Sequence, residues 1–324
     1  MLKVAAFGEA LIDMIPDYGD AGPGGARPRA FIPSPGGAPA NIAVAVARLG
    51  GDARFLGKVG RDFFGNMIRD ALNGYGVNTE HLLQTEEAPT ALAFVAHDTD
   101  GERSFSFYRS PSADLLYRPE EFPEDAFAPP GIFHVCSNTL TEPAIRETTM
   151  RGLEMAHRHG CLVSVDVNYR GSLWPEPSQA PTAILSLMGA ADVVKLSLEE
   201  LQELYGKDAL ETTVAQLLGN GVSLVVVTDG GAALHYYTPT ARSSLQPPSV
   251  KAVDTTAAGD AFVGGLLYAL AADDVTRDGL SDWLTDTRNL ETALAFAARC
   301  GALAASRYGA YNALPTAAEV SARE

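Results

Sequence analysis

The segment Asp254-Thr255-Thr256-Ala257-Ala258-Gly259-Asp260 has residue types and a spacing that can do chemistry. It follows the polar approach Lys251-Ala252-Val253. It opens a run of small and apolar residues, Ala261-Phe262-Val263-Gly264-Gly265-Leu266-Leu267, that reads as a helix. Small residues at a helix start leave its first backbone N–H groups uncovered. Together with the helix dipole, those groups make an anion site. A carboxylate is the wrong group to hold a phosphate, so Asp260 reads instead as a base acting on a hydroxyl beside it. The combination points to phosphoryl transfer onto an alcohol. Asp254 has two readings, a local cap on Thr256 or the helix start, or a part in cation binding and the shape of the phosphate loop. The residues alone leave both open.

Such a site needs a frame to position it. From residue 131 the pattern is strand then helix, repeated: strands at 131–136, 161–166, 193–196 and 224–228, with helices at 142–159, 181–189, 198–205 and 210–218 between them. Shorter strands are expected at 233–237 and 249–253, and helices from 259 and from about 289 to 307. The N-terminal part reads as a strand at 3–7, helices at 38–49 and 63–75, and a strand at 55–59. Alternation of this kind gives a mostly parallel sheet covered by helices. Residues 90–96 and 104–108, joined by the turn Asp98-Thr99-Asp100-Gly101, read as a hairpin. With residues 12–33, rich in Pro and Gly, the hairpin forms a small sheet outside the main core, one that must pack over a cleft or against a partner.

In open α/β sheets, ligands bind beyond the carboxyl ends of the strands. Asp13, Asp166, Asn168, Lys195, Ser197, Thr228, Asp254 and Asp260 all fall at such ends. Any one of them is ordinarily a cap; their convergence is the signal. Gly36-Gly37 precedes a helix that carries Asn41, whose amide can both donate to and accept from a sugar hydroxyl. Neither a dinucleotide fingerprint nor a GxxxxGK[ST] loop is present, which leaves residues 256–260 as the phosphate-holding element.

Composition narrows the partners. The chain has 324 residues, 46% of them hydrophobic, enough for one large core. Its net charge is −16, from 40 acidic and 24 basic residues, which argues against a nucleic-acid partner. Three cysteines without a CxxC pair read as buried thiols in a reducing compartment; the histidines show no metal spacing, and His157 and His159, near a helix end, read as surface residues. No apolar run of about 18 residues is present, so no membrane span is expected and the cytoplasm is the default.

The chain resembles the ribokinase-like sugar kinases, also called the phosphofructokinase-B group, and within them the fructokinases. The resemblance runs from Gly8 to about Pro315 and rests on two long signatures, one from Gly36 to Gly50 and one from Asp254 to Gly265. The subgroup rests on Gly8-Glu9 with Leu11-Ile12-Asp13, on Gly101-Glu102-Arg103 with Phe107-Tyr108-Arg109, on Asn168-Tyr169-Arg170, and on Val194-Lys195-Leu196-Ser197. It implies a single three-layer α/β/α Rossmann-like domain with a small β lid from about 12–35 and 88–112. The implied activity is ATP-dependent phosphorylation of the 6-hydroxyl of D-fructose. Alternatives are a kinase for 2-keto-3-deoxygluconate, ribose or adenosine, and a non-catalytic sugar-binding homologue, against which the retained Gly259 and Asp260 speak.

By the same resemblance, Asp260 is the base, and the N–H groups of Ala257, Ala258, Gly259 and Asp260 stabilise the transferring group. Asp13, Gly36, Gly37, Asn41 and Asn168 bind the sugar, with Arg103, Phe107 and Arg109 from the lid. Lys195, Thr228, Gly230, Ala298 and Gly301 lie toward the nucleotide. Glu200 organises magnesium through water, while Asp254 and Thr256 begin a potassium loop completed from 299–309. A monomer and a lid-mediated homodimer are both compatible. The family often has Gly at position 257 and a small apolar residue at 229, where this chain has Ala and Asp.

Overall fold

A computed structural model describes residues 1–19, 27–97 and 103–322; the side chains of residues 96, 97 and 103–105 lie outside the described set. In chain order the first strands are β1 (Lys3–Phe7), β2 (Leu11–Asp17), β3 (Ala30–Gly36), β4 (Asp52–Gly60), β5 (Leu82–Thr85), β6 (Leu92–His97) and β7 (Arg103–Tyr108). They are followed by β8 (Ile132–Cys136), β9 (Leu162–Asp166), β10 (Val193–Ser197), β11 (Leu224–Thr228), β12 (Leu234–Tyr237) and β13 (Arg242–Leu245). The helices are α1 (Ala38–Arg48), α2 (Phe63–Gly74), α3 (Pro143–Arg158), α4 (Ala180–Gly189) and α5 (Leu198–Tyr205). After them come α6 (Leu210–Gly219), α7 (Ala258–Ala272), α8 (Leu280–Thr285), α9 (Thr287–Ala305) and α10 (Ala317–Ser321).

β1 is buried on both faces. Val4 and Ala6 point into one core with α1, α2 and α7–α10, and Ala5 and Phe7 into a second with α3–α6. A strand buried on both sides belongs to a parallel sheet between two helical layers. The nine-stranded sheet runs β13-β12-β11-β10-β9-β8-β1-β4-β5, parallel except for the antiparallel edge of β12 and β13. Chain order runs outward from β1 in both directions, so the switch point lies between β1 and β8, where such sheets bind ligands.

The second sheet, β3-β2-β6-β7, lies apart from the first. Its register sets Asp13 opposite Ala93, and Ala93 opposite Phe107, on one face. Phe94 points the other way and packs edge-on against Phe31 and Tyr108. The expected turn at 98–101 lies outside the described residues.

Two expectations change, and β5 is an addition to the expected strands. Residues 249–253 form no strand; β13 takes the place beside β12. Pro247 and Pro248 lack the N–H groups that a ladder needs, and the segment is instead tied to the end of α9, where Val253 N donates to the Ala305 carbonyl at 2.8 Å. β5 is an edge strand too short for its alternation to register in the sequence. His157 is not simply a surface residue: its Nε2 lies 3.4 Å from Asp192, a buried carboxylate that Arg277 also holds.

The small residues of α7 also serve helix packing. A β-carbon on Gly264 would lie 2.4 Å from that of Ala45 on α1, and one on Gly265 would lie 2.9 Å from Cys300 Sγ on α9. Gly264→Val is therefore expected to force α1 and α7 apart and to cost about 1–3 kcal/mol. The measurement is urea denaturation, in which a midpoint equal to that of the parent would contradict this packing.

Candidate active site

A cavity of about 460 Å³ lies between the carboxyl ends of the central strands and the second sheet. Asp260 reaches it from the first turn of α7, which has no side-chain cap, so the N–H groups at this helix end have no side-chain acceptor. Ala257 precedes the helix at φ −107°, a conformation open to any residue, so the glycine usual there is not required. One of the four expected donors is already engaged: Ala258 N donates to the Thr255 carbonyl at 3.2 Å.

Asp260 is buried, and Asn41 Nδ2 donates to its Oδ2 at 2.6 Å. Asn41 and Ala45 are one turn apart on α1, as Asp260 and Gly264 are on α7. The close crossing at Gly264 thus sets the amide against the carboxylate. Burial raises the Asp260 carboxyl to about 7; the Asn41 bond pulls it down, Asp166 pushes it up, and Arg170 and Lys195 pull it down. Asn41 was expected to serve the sugar alone. In the structure its amide holds the Asp260 carboxylate, and its Oδ1 is buried without a partner.

α1 starts where it does because of two glycines. Gly37 has φ 101°, and a β-carbon there would meet the Glu9 carbonyl at 2.6 Å. A β-carbon on Gly36 would lie 2.3 Å from Asp13 Oδ2, so the glycine leaves room for that carboxylate. Asp13 lines the cavity from β2; burial and then the charge of Asp254 push its carboxyl up to about 7. Asn168 lines the cavity at φ 38°, a left-handed conformation that asparagine tolerates better than most residues. Phe107 also lines it.

Arg109 lines the cavity, as a buried residue and not a solvent-facing one. It lies just past β7, with Nε 2.7 Å from Asp114 and Nη1 3.2 Å from Thr141 Oγ1. The Arg103 side chain is outside the described residues.

On the other side of Asp260, Lys195 is buried with Nζ 3.0 Å from Asp166. Burial alone depresses its ammonium, but Asp166, Glu200 and Asp260 outweigh burial and hold it above its usual value. A β-carbon on Gly259 would lie 3.4 Å from Nζ, so the ammonium stands beside the anion turn. Thr228 is in register with Ser197, and Gly230, at φ 53°, opens onto free space. Gly301 packs against the Ala258 carbonyl, with Ala298 buried one turn earlier on α9. Ser197 and Glu200 form a capping box on α5, and Glu200 Oε1 also accepts from Tyr169 N at 3.0 Å. Asp254 does cap Thr256, accepting from its N and Oγ1, and its other oxygen accepts from Gly309 N at 3.0 Å. The turn is thereby tied to the 305–309 segment. Nothing in the structure explains the aspartate at 229.

The cavity has further lining residues that sequence reasoning did not assign to the site: Glu9, Asn138 and Arg170 among them. Glu9 and Asn138 follow the carboxyl ends of β1 and β8, so the strand-end rule was the available signal. Burial holds the Glu9 carboxyl above its usual range, against the pull of Arg109 and of Asn138. Among the described residues, Glu80, His81 and Asp125 also bring donor atoms within 4.8 Å of one another. They lie near Lys3, at the amino end of β1 and away from the cavity at the strands' carboxyl ends. No helix among the described residues is long and apolar enough to cross a membrane.

A family model described as pfkB family carbohydrate kinase matches residues 1–317. The chain is 42% identical over 318 residues to the probable fructokinase-4 of Arabidopsis thaliana, covering 98% of this chain and 95% of that protein. It is similar to the structure of a fructokinase with bound ATP from Xylella fastidiosa, at 44% identity and a TM-score of 0.91, covering 99% of this chain and 97% of that one. It is also similar to a double mutant of the fructokinase from Vibrio cholerae O395 with fructose, ADP and potassium ion bound. There the identity is 36% and the TM-score 0.87, over 99% of this chain and 98% of that one.

Proposed function

The chain belongs to the pfkB family of carbohydrate kinases and is an ATP-dependent kinase of fructokinase type; from that premise we propose that it phosphorylates D-fructose on the 6-hydroxyl. The observation that carries this reading is Asp260, a buried carboxylate with its carboxyl raised to about 7, at the uncapped start of α7 and on the same cavity as Asp13 and Asn41.

The sugar sits in the cavity with hydroxyls toward Asp13, Asn41 Oδ1 and Asn168, under Phe107. Its 6-hydroxyl gives its proton to Asp260 as the oxygen attacks the γ-phosphorus of ATP. The bond from that phosphorus to the bridging oxygen breaks, and ADP leaves. Charge on the transferring group is met by the free N–H groups at the start of α7 and by the Lys195 ammonium beside Gly259. Thr228, Gly230, Ala298 and Gly301 border the nucleotide. Bound magnesium supplies charge neutralisation on the phosphates; Glu200 would hold it through water, since each of its oxygens accepts one backbone N–H and keeps a second lone pair. Potassium, bound in the Vibrio cholerae relative, would lie by the turn that Asp254 ties to Gly309.

Two consequences follow for pH. A base works ionised, so kcat/KM is expected to rise with pH through about 7, measured from about pH 5 to about pH 9. Asn41→Ala removes the bond that pulls the Asp260 carboxyl down, so its midpoint is expected at higher pH. A profile with the parent's midpoint would remove Asn41 from this role.

Substrate choice is tested by ADP release with ATP and magnesium across fructose, ribose, 2-keto-3-deoxygluconate, glucose and adenosine. Fructose is expected to give the highest kcat/KM. A higher value on another of these substrates would leave Asp260 in its role and overturn the reading of the pocket.

A further inference from the structure

Glu9 and Asn138 stand at the switch point, at the ends of the neighbouring strands β1 and β8. Both line the cavity, 3% and 4% exposed, and neither takes part in the transfer derived above. Asn138 Nδ2 donates to Glu9 Oε1 at 3.0 Å, whereas Glu9 Oε2 and Asn138 Oδ1 are buried with no hydrogen-bonding partner. Arg109 repeats the pattern: Asp114 and Thr141 hold Nε and Nη1, and Nη2 is buried and unpartnered.

A buried polar atom left without a partner is costly, and native folds hold few. Here two acceptors and a donor are buried in the wall of one cavity, on lining side chains each fixed by its other atoms. An apolar ligand would strand all three. An anionic group would meet the Glu9 carboxylate. Hydroxyls satisfy the set, because each can donate to Glu9 or Asn138 and accept from Arg109.

We propose that Glu9, oriented by Asn138, accepts a hydrogen bond from a sugar hydroxyl other than the one that meets Asp260, that Arg109 donates to the same hydroxyl or its neighbour, and that Glu9 is thereby a specificity-determining residue. The inference rests on the cavity being the sugar site.

The test is calorimetric binding of fructose and of its 1-deoxy, 3-deoxy and 4-deoxy analogues to the parent and to Glu9→Gln, with ATP binding as the control for a folded protein. Glu9→Gln is expected to weaken fructose binding by about ten- to a hundredfold, as expected for a hydrogen bond to a charged group, and to leave ATP binding within about twofold. For the analogue lacking the hydroxyl that Glu9 reads, parent and variant are expected to bind alike, because the two deletions remove one interaction. Unchanged fructose binding, or an equal loss across all three analogues, would overturn the proposal. Should Glu9→Gln fail to bind ATP, Glu9→Asp serves in the same comparison. Failure of the parent to bind fructose overturns the fructose reading instead, and ribose against 2-deoxyribose then decides on Glu9.

Discussion

Asp260→Asn is expected to lower kcat by about 10²–10⁴-fold while leaving the sugar dissociation constant close to that of the parent. The amide has the shape of the carboxylate and can still accept from Asn41 Nδ2, so the cavity keeps its form. Only the capacity to take a proton is lost, and that capacity matters in the transition state rather than in the bound complex. The same variant carries a stability signature. The folded carboxyl is raised to about 7 from 3.8, chiefly by burial. A raised acid contributes stability that is complete below its unfolded value and is lost as pH rises through its folded one. Asp260→Asn is therefore expected to gain stability relative to the parent between about pH 4 and about pH 7, and to hold the gain above that. Equal loss of binding and turnover would make Asp260 a positioning residue.

Lys195→Met is expected to cost about 3–5 kcal/mol of folding stability, read from urea denaturation, because it leaves Asp166 buried without its ion-pair partner. Asp166 is 1% exposed and its Oδ1 lies 3.0 Å from Nζ. Adding Asp166→Asn to Lys195→Met removes the stranded charge, so most of the stability is expected to return. Activity is not expected to return with it. The ammonium also stands beside Gly259 at the anion turn, where loss of a donor to developing charge lowers kcat by about 10²–10³-fold. Recovery of both together would confine Lys195 to a structural role.

The parts of this site that were legible in the sequence are those set by local pattern. The anion turn and Asp260 declare themselves through small residues at a helix start, and Gly36-Gly37 through the need for a close approach. Strands buried on both faces, such as β1 and β11, show as continuous apolar runs. The bond from Asn41 to Asp260 was not legible, because it depends on how closely α1 crosses α7 at Gly264. Glu9 and Asn138 were missed for a related reason: their partnership is set by the adjacency of β1 and β8, strands far apart in the chain. The burial of Arg109 was not legible because its partners, Asp114 and Thr141, lie beyond the lid. The approach at 249–253 has strand-like residues but is claimed by the end of α9.

The most direct test of the central claim is the position of the phosphate on the product made from fructose and ATP, determined by phosphorus–proton correlation NMR. Asp260 acting on the 6-hydroxyl predicts fructose 6-phosphate, formed by the parent and absent at matched times with Asp260→Asn. Phosphate on the 1-hydroxyl, or the same yield of product from the variant, would contradict the account.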